Sequence, residues 1–247
     1  FPVSPGMFDL NGATPLQNGV NFTIHTCGGT ACELLLFHRE EEEPFAVLPF
    51  PEAYKIGDVY SMIVYGLDIR DFEYAYRVDG PWDPEKGLLF DKKNILLDPY
   101  AKAVSGQRTW GTHWDPTYHA RVVKDSFNWG DMPQSKKELC DLIIYELHVR
   151  GFTVHESSGV QNRGTFAGLM EKIPYLRELG INAVELMPIF EFDETMNARE
   201  INGERLLEYW GYNTVSFFAP NTSFTSVNEY NLSLIHISEP TRQAEIS

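Results

Sequence analysis

Apolar and polar residues alternate through much of the first eighty positions. In Val20-Asn21-Phe22-Thr23-Ile24-His25, the apolar Val20, Phe22 and Ile24 fall on one side and the polar Asn21, Thr23 and His25 on the other. That is the period of a half-buried strand. The run Phe72-Glu73-Tyr74-Ala75-Tyr76-Arg77-Val78-Asp79 repeats it, with Phe72, Tyr74, Tyr76 and Val78 on one face. Segments 31–37, 45–50 and 59–65 are further short β-like runs, and Gly28-Gly29, the four glutamates at 40–43 and Gly57-Asp58 supply turns between them. Strands at this spacing predict an antiparallel β-sandwich over residues 1–105. The glutamate run reads as a solvated hairpin tip.

From about Pro81 to Pro133 the period fades. This stretch holds Trp82, Trp110, Trp114 and Trp129, four of the five tryptophans. A structureless segment of that length is unusual in a compact domain, so it is expected to wrap an interface, pinned by its aromatics. Exposed indoles would instead suit stacking on sugars, with buried packing the plainer reading. The connector proper is placed at 106–138.

At Leu139 the pattern changes. An almost continuous apolar run to Val149 predicts a strand buried on both faces, with Ile144, Glu146, His148 and Arg150 along one side. Thr165 is a plausible N-cap for a helix carrying Phe166, Leu169, Ile173, Leu176 and Leu179, with Gly180 as its stop. Pro174 should kink or restart that helix. A second short apolar strand follows at 181–188, which makes a βαβ unit and hence parallel sheet. After a polar stretch from Glu191 to Glu208, segment 214–219 reads as a third strand.

Composition narrows the partners. The 247 residues are 43% hydrophobic and 22% charged, ordinary for a globular chain. Lys and Arg number 20 against 35 Asp and Glu, a formal charge of −15. Such a surface repels phosphate backbones and anionic lipid, so neither nucleic acid nor a membrane is expected as a partner. No apolar run is long enough to span a bilayer. Three cysteines, Cys27, Cys32 and Cys140, lack CxxC spacing, which argues against a disulfide framework or a zinc site; Cys27–Cys32 is the one local pairing weighed. No signal peptide is legible at the start, so a cytoplasmic location is expected and the two Asn-x-Ser/Thr sites, at Asn21 and Asn221, are read as chance; the missing initiator Met points to a true start that lies earlier.

The second half resembles the α-amylase superfamily, glycoside hydrolase family 13, and within it the isoamylase and glycogen-debranching branch. The residues that carry this are Tyr145-Glu-Leu-His-Val-Arg-Gly-Phe-Thr153, similar to a first barrel strand, and Gly164-Thr-Phe-Ala-Gly-Leu with Gly180-Ile-Asn-Ala-Val-Glu-Leu-Met-Pro188, similar to the first helix and second strand. Tyr209-Trp-Gly-Tyr-Asn213 running into Phe217-Phe-Ala-Pro220 resembles the approach to the third strand. In the first half, Gly19-Val-Asn-Phe22, Arg77-Val-Asp-Gly-Pro81 and Leu96-Leu-Asp-Pro-Tyr-Ala101 resemble the N-terminal sandwich of that branch, related to carbohydrate-binding module family 48.

The resemblance implies an immunoglobulin-like β-sandwich at 1–105 and a (β/α)8 TIM barrel opening at 139–231. A complete barrel takes about 250 residues, so 139–231 allows roughly three of eight units. It implies retaining hydrolysis of α-1,6 branch points in glycogen-like α-glucans by two carboxylates about 5 Å apart. The nucleophile Asp, acid/base Glu and third Asp are implied on later strands, beyond Asn231, so no catalytic residue is expected here. A branching transferase and a non-catalytic α-glucan-binding module are the competing readings. Tyr212 corresponds to the tyrosine that stacks on sugar at the cleavage subsite, and Trp210 would line the same rim. Glu146 and His148 are expected inside the barrel, satisfied by one another or by further strands, with Glu185 similar. Glu191, Asp193 and Glu194 read as a solvated loop. No cofactor is implied, and no metal-ligand cluster is legible. Residues 232–242 resemble one reading frame of a transposon-type sequencing-library adapter and 243–247 index or further read-through, so Phe1 to about Asn231 is read as natural sequence that is interrupted there, not finished. An open barrel would leave this chain prone to aggregation.

Overall fold

The computed structural model describes residues 1–105, 109–112, 117–124, 137–196 and 198–226. They fall into two compact units, Phe1–Ser105 with Thr117–Lys124, and Gly106–Pro116 with Asp125–Ser247. Trp114, Trp129 and the adapter-like segment lie outside the described residues.

The first unit is built from two antiparallel sheets. One orders β1 (Val3–Pro5), β7 (Val59–Tyr65), β3 (Gly19–His25) and β2 (Gly12–Leu16), with β6 (Lys55–Ile56) also on β7. The other orders β11 (Ala103–Val104), β12 (Ala120–Arg121), β8 (Phe72–Asp79), β4 (Ala31–His38) and β5 (Pro44–Pro49). A separate hairpin joins β9 (Trp82–Asp83) to β10 (Leu88–Leu89). Inward aromatics close the sandwich: the Phe22 ring meets Tyr74 edge-on at 5.1 Å and Phe72 at 6.4 Å. The glutamates at 40–43 are exposed at the turn between β4 and β5. Cys27, Cys32 and Cys140 are free thiols, so the Cys27–Cys32 bridge is not formed.

The half-buried alternation fails on its polar side. Asn21 and Thr23 are fully enclosed because the segment at Met7 folds over them. Met7 N donates to Asn21 Oδ1 at 2.8 Å, the Thr23 hydroxyl donates to Met7 O at 3.1 Å, and Thr23 shares a 2.6 Å bond with Ser61. Buried polar groups persist where they are paired in this way. The same burial places Asn21, like Asn221, out of reach of solvent.

Glu73, on the far face of β8, is also enclosed. Arg121 Nε and Nη2 donate to its Oε1 at 2.8 and 2.6 Å, and His119 Nδ1 faces Oε2 at 3.5 Å. Burial pushes this carboxyl up, but His119 and Arg121 outweigh it and hold it below its ordinary value. Arg121→Met is expected to cost the first unit about 3 kcal/mol, because it strands a buried carboxylate. Urea unfolding followed by near-ultraviolet circular dichroism measures this; a loss below about 1 kcal/mol would mean that Arg121 is not Glu73's main partner. The Leu96-Leu97-Asp98-Pro99-Tyr100 stretch also serves the core. Tyr74 Oη donates to Asp98 Oδ2 at 2.7 Å and Tyr100 N to Oδ1 at 2.8 Å, while burial pushes the Asp98 carboxyl up to about 6.

The second unit opens on a parallel pair, β13 (Ile144–Leu147) with β14 (Ala183–Leu186), in register Glu146↔Glu185. Between them come α1 (Val149–Thr153), α2 (Phe166–Glu171) and α3 (Ile173–Glu178). Thr165 caps α2, accepting from Gly168 N at 3.2 Å, and Pro174 sits in the first turn of α3, so the proline restarts the helix. Gly180 ends it at φ 86°.

Several expectations are corrected here. The run from Leu139 to Val149 is not one strand buried on both faces: a 3-10 turn spans Leu139–Asp141, the strand stops at Leu147, and Ile144 and Glu146 are exposed. Among the described residues β13 pairs with β14 alone, which leaves its other edge unpaired. The polar stretch is not a plain loop. It holds β15 (Phe190–Phe192) and a hairpin of β16 (Arg199–Ile201) with β17 (Glu204–Leu206). The expected third strand, β18 (Thr214–Pro220), pairs antiparallel with β15 and does not extend the parallel pair. Phe192 draws β15 inward: its ring is fully buried in the core formed by Leu147, Val149, Phe166, Leu169, Leu176 and Phe224.

Candidate functional site

The end of β13 makes a socket. Its chain turns at His148 into α1, and His148 caps that helix: Gly151 N donates to Nδ1 at 3.0 Å. A backbone N–H only donates, so Nδ1 is the acceptor nitrogen. Nε2 therefore carries the hydrogen and donates to the carbonyl of Tyr209 at 2.8 Å. The Tyr209 ring stacks on the imidazole, centroids 4.3 Å apart. Gly151 is the floor: a Cβ there would lie 1.9 Å from Tyr209 Oη. Burial pushes the His148 pKa down from its ordinary value.

Both ends of the segment that follows are tied to one neighbouring stretch. Glu208 N donates to Glu194 O at 2.8 Å, and Asn213 Nδ2 to Asp193 O at 3.2 Å. Between them Gly211 takes φ 80°, and a Cβ there would meet the Phe192 ring at 2.8 Å, so only glycine fits. The result is a ledge whose base is Tyr209 and whose free faces are Trp210, 50% exposed, and Tyr212, 73% exposed. Exposed aromatic faces of this kind suit the C–H faces of pyranose rings.

Beneath the ledge, the Arg150 guanidinium lies 4.8 Å over the Trp110 ring, and Trp110 stacks on Phe224 at 6.3 Å. Trp110 is thus a packing residue. Trp82 of the first unit is 65% exposed, beside Leu89 in the hairpin register, which overturns the packing reading for that residue.

The acidic residues fall differently from expectation. Glu146 and Glu185 are exposed side by side on the parallel pair, and neither partners His148. Glu191 and Glu194 are buried, not solvated. Glu191 Oε2 accepts from Thr222 N at 2.7 Å, while Oε1 is buried without a hydrogen-bond partner among the described residues. Burial pushes this carboxyl up to about 8, so it is protonated at neutral pH. Glu194 accepts from Gly111 N at 2.7 Å, and burial raises it too. In sequence, Phe190-Glu191-Phe192 carries a strand's alternation, but nothing in it signals that both faces are covered. Among the described residues no group of three His, Cys, Asp or Glu is placed to hold a metal ion.

The chain thus joins a two-sheet sandwich to a parallel βαβ unit that displays an aromatic ledge. Residues 11–101 match the model of carbohydrate-binding module 48, the isoamylase N-terminal domain, and the chain is related to isoamylases and glycogen debranching enzymes. It is 37% identical to the chloroplastic isoamylase 1 of Arabidopsis thaliana over 94% of this chain and 31% of that protein. It is 32% identical to the glycogen debranching enzyme of Salmonella paratyphi B over 90% of this chain and 35% of that one. The chain thus spans about a third of the length of the curated relatives it matches. Among solved structures, the pullulanase of Paenibacillus barengoltzii in complex with maltohexaose and α-cyclodextrin superposes with a TM-score of 0.74 at 20% identity, over 98% of this chain and 36% of that one. The pullulanase of Anoxybacillus sp. LM18-11 complexed with maltotetraose gives 0.72 at 25% identity, over 98% and 34%.

Proposed function

We propose that these residues are part of a cytoplasmic glycoside hydrolase that cleaves α-1,6 branch points of glycogen-like α-glucans, and that the second unit is the opening portion of a (β/α)8 barrel. The observation that carries the reading is the Tyr209–Asn213 ledge, in which Tyr212 offers an aromatic face next to the end of a parallel strand, the side on which such barrels bind substrate. Similarity to isoamylases and debranching enzymes over nine-tenths of the chain supports it. The chemistry would be retaining, with an acid and a nucleophile about 5 Å apart, both supplied beyond Asn231. The 247 residues alone are therefore proposed to bind α-glucan without cleaving it.

A second reading, a glucan-binding module without catalysis, is favoured by the exposed Trp82 in the first unit. Affinity electrophoresis in amylopectin gels separates the two contributions. Tyr212→Ala is expected to weaken retardation severalfold if the ledge is the main contact, and Trp82→Ala if the sandwich is. Unretarded wild-type chain would remove glucan binding from both. The gene sequence past Asn231 tests the hydrolase itself: it should continue into an Asp-and-His motif, a nucleophile Asp and an acid/base Glu, and their absence would sink the enzymatic reading.

A further inference from the structure

Of the aromatic residues at the ledge, Tyr212 and Trp210 are the more exposed; the base, Tyr209, is held through two contacts by one histidine, which is itself anchored by a third. Nδ1 of His148 accepts from Gly151 N, Nε2–H donates to Tyr209 O, and the ring faces are stacked. Trp210 also meets the imidazole edge-on at 6.4 Å. Of these, only the Gly151 bond needs the neutral form, because the cation keeps Nε2–H for Tyr209 O and keeps its ring face but has no lone pair left on Nδ1. A second proton on Nδ1 would set two N–H groups against each other at Gly151, opening the helix cap on which Tyr209 sits.

We propose that His148 is a positioning residue for the Trp210–Tyr212 ledge, holding it in place while the imidazole is neutral and releasing it on protonation. The inference rests on the reading of the ledge as an α-glucan contact and adds to it an acid-sensitive hinge. Among the described residues, the charged and titratable groups around the imidazole are few. On its own turn there is Arg150, whose positive charge disfavours a second cation. The 208–212 segment brings Glu208, whose Oε1 accepts from Trp210 N at 3.2 Å, and Tyr209 itself. The 193–194 stretch brings Asp193 and Glu194, the latter buried and engaged at Gly111. The Thr222–Phe224 turn presents Phe224, which meets the imidazole edge-on at 5.5 Å and carries no charge. None of these hydrogen-bonds the ring except Tyr209, through its carbonyl.

The test uses the whole 247-residue chain and maltohexaose as probe. Two signals are followed from pH 8 to pH 5: maltohexaose affinity by calorimetry, and the emission of Trp210, isolated by subtracting a Trp210→Phe variant. In the wild type both should be level near neutrality and fall together in acid, with affinity down severalfold by pH 5. His148→Asn supplies an acceptor for Gly151 N and carries no titratable proton, so its affinity should stay level across the range. His148→Ala should bind severalfold more weakly at every pH. An acid loss of the Trp210 signal that persists unchanged in His148→Asn overturns the proposal, as does a Trp210 signal that stays level while ring resonances in nuclear magnetic resonance show His148 protonating. If the Trp210 signal titrates and His148→Asn abolishes that titration, yet maltohexaose binds at no pH, the hinge stands and the glucan reading falls.

Discussion

Glu191→Gln is expected to stabilise the second unit, and by more as the pH rises. Glu191 lies on β15 opposite Ser216 of β18 and is buried, with Oε2 on Thr222 N and Oε1 without a hydrogen-bond partner among the described residues. Burial pushes its pKa up to about 8, well above that of a carboxyl in an unfolded chain. A carboxyl raised on folding contributes its full stability below the unfolded pKa and loses it as pH climbs through the folded one. The wild-type unit should therefore weaken by about 1.4 kcal/mol per pH unit between roughly pH 4.5 and 8 on this account, and change little above. Glutamine reproduces the protonated acid, with an oxygen for Thr222 N and a donor in place of the hydroxyl, and it has no charge to desolvate. The gain at pH 8 is on the order of 3–5 kcal/mol. Hydrogen exchange of the peptide containing Thr222, compared at pH 6 and 8 after correction for intrinsic rates, reads it directly. Parallel pH slopes in wild type and variant would mean that Glu191 is ionised in the folded chain.

Gly151→Ala is expected to dismantle the ledge without touching it. The added Cβ would lie 1.9 Å from Tyr209 Oη and 3.2 Å from its Cζ. Tyr209 cannot slide aside cheaply, because its ring is stacked on His148, its carbonyl is bonded to Nε2, and Glu208 before it is anchored on Glu194. Overpacking of this sort costs about 1–3 kcal/mol. Binding of maltohexaose should fall at least as far as in Tyr212→Ala. Tyr209→Phe in the same chain removes the closest atom and leaves only the 3.2 Å contact, so the double variant should recover most of the lost affinity. A Gly151→Ala chain that binds normally would show that Tyr209 does not set the ledge.

Much of the frame was legible along the chain. The alternation at 72–79 is β8, Thr165 and Pro174 bound α2 and α3 as their chemistry requires, and the second strand pairs in parallel. The apolar run from Leu139 misled because an unbroken hydrophobic stretch does not say where a strand stops. Here it stops when His148 turns to cap α1, a contact between residues three apart that competes with extension. Trp210 and Tyr212 were singled out by resemblance, and both are exposed. Tyr209, Gly151 and Gly211, which fix the ledge in space, carry no signal of that role in their own neighbourhoods.

By itself, the sequence determined what local spacing can encode: which residues share the near face of a strand, where a helix begins, and where proline forces it to begin again. Tertiary structure alone decided the fate of the other face. Asn21, Thr23, Glu73 and Glu191 each stand at a polar position of a regular alternation, and each is buried because a segment distant along the chain closes over it. Periodicity reports the side on which a residue points. Desolvation, and with it the protonated state of Glu191 and the neutral imidazole of His148, depends on what arrives there from elsewhere.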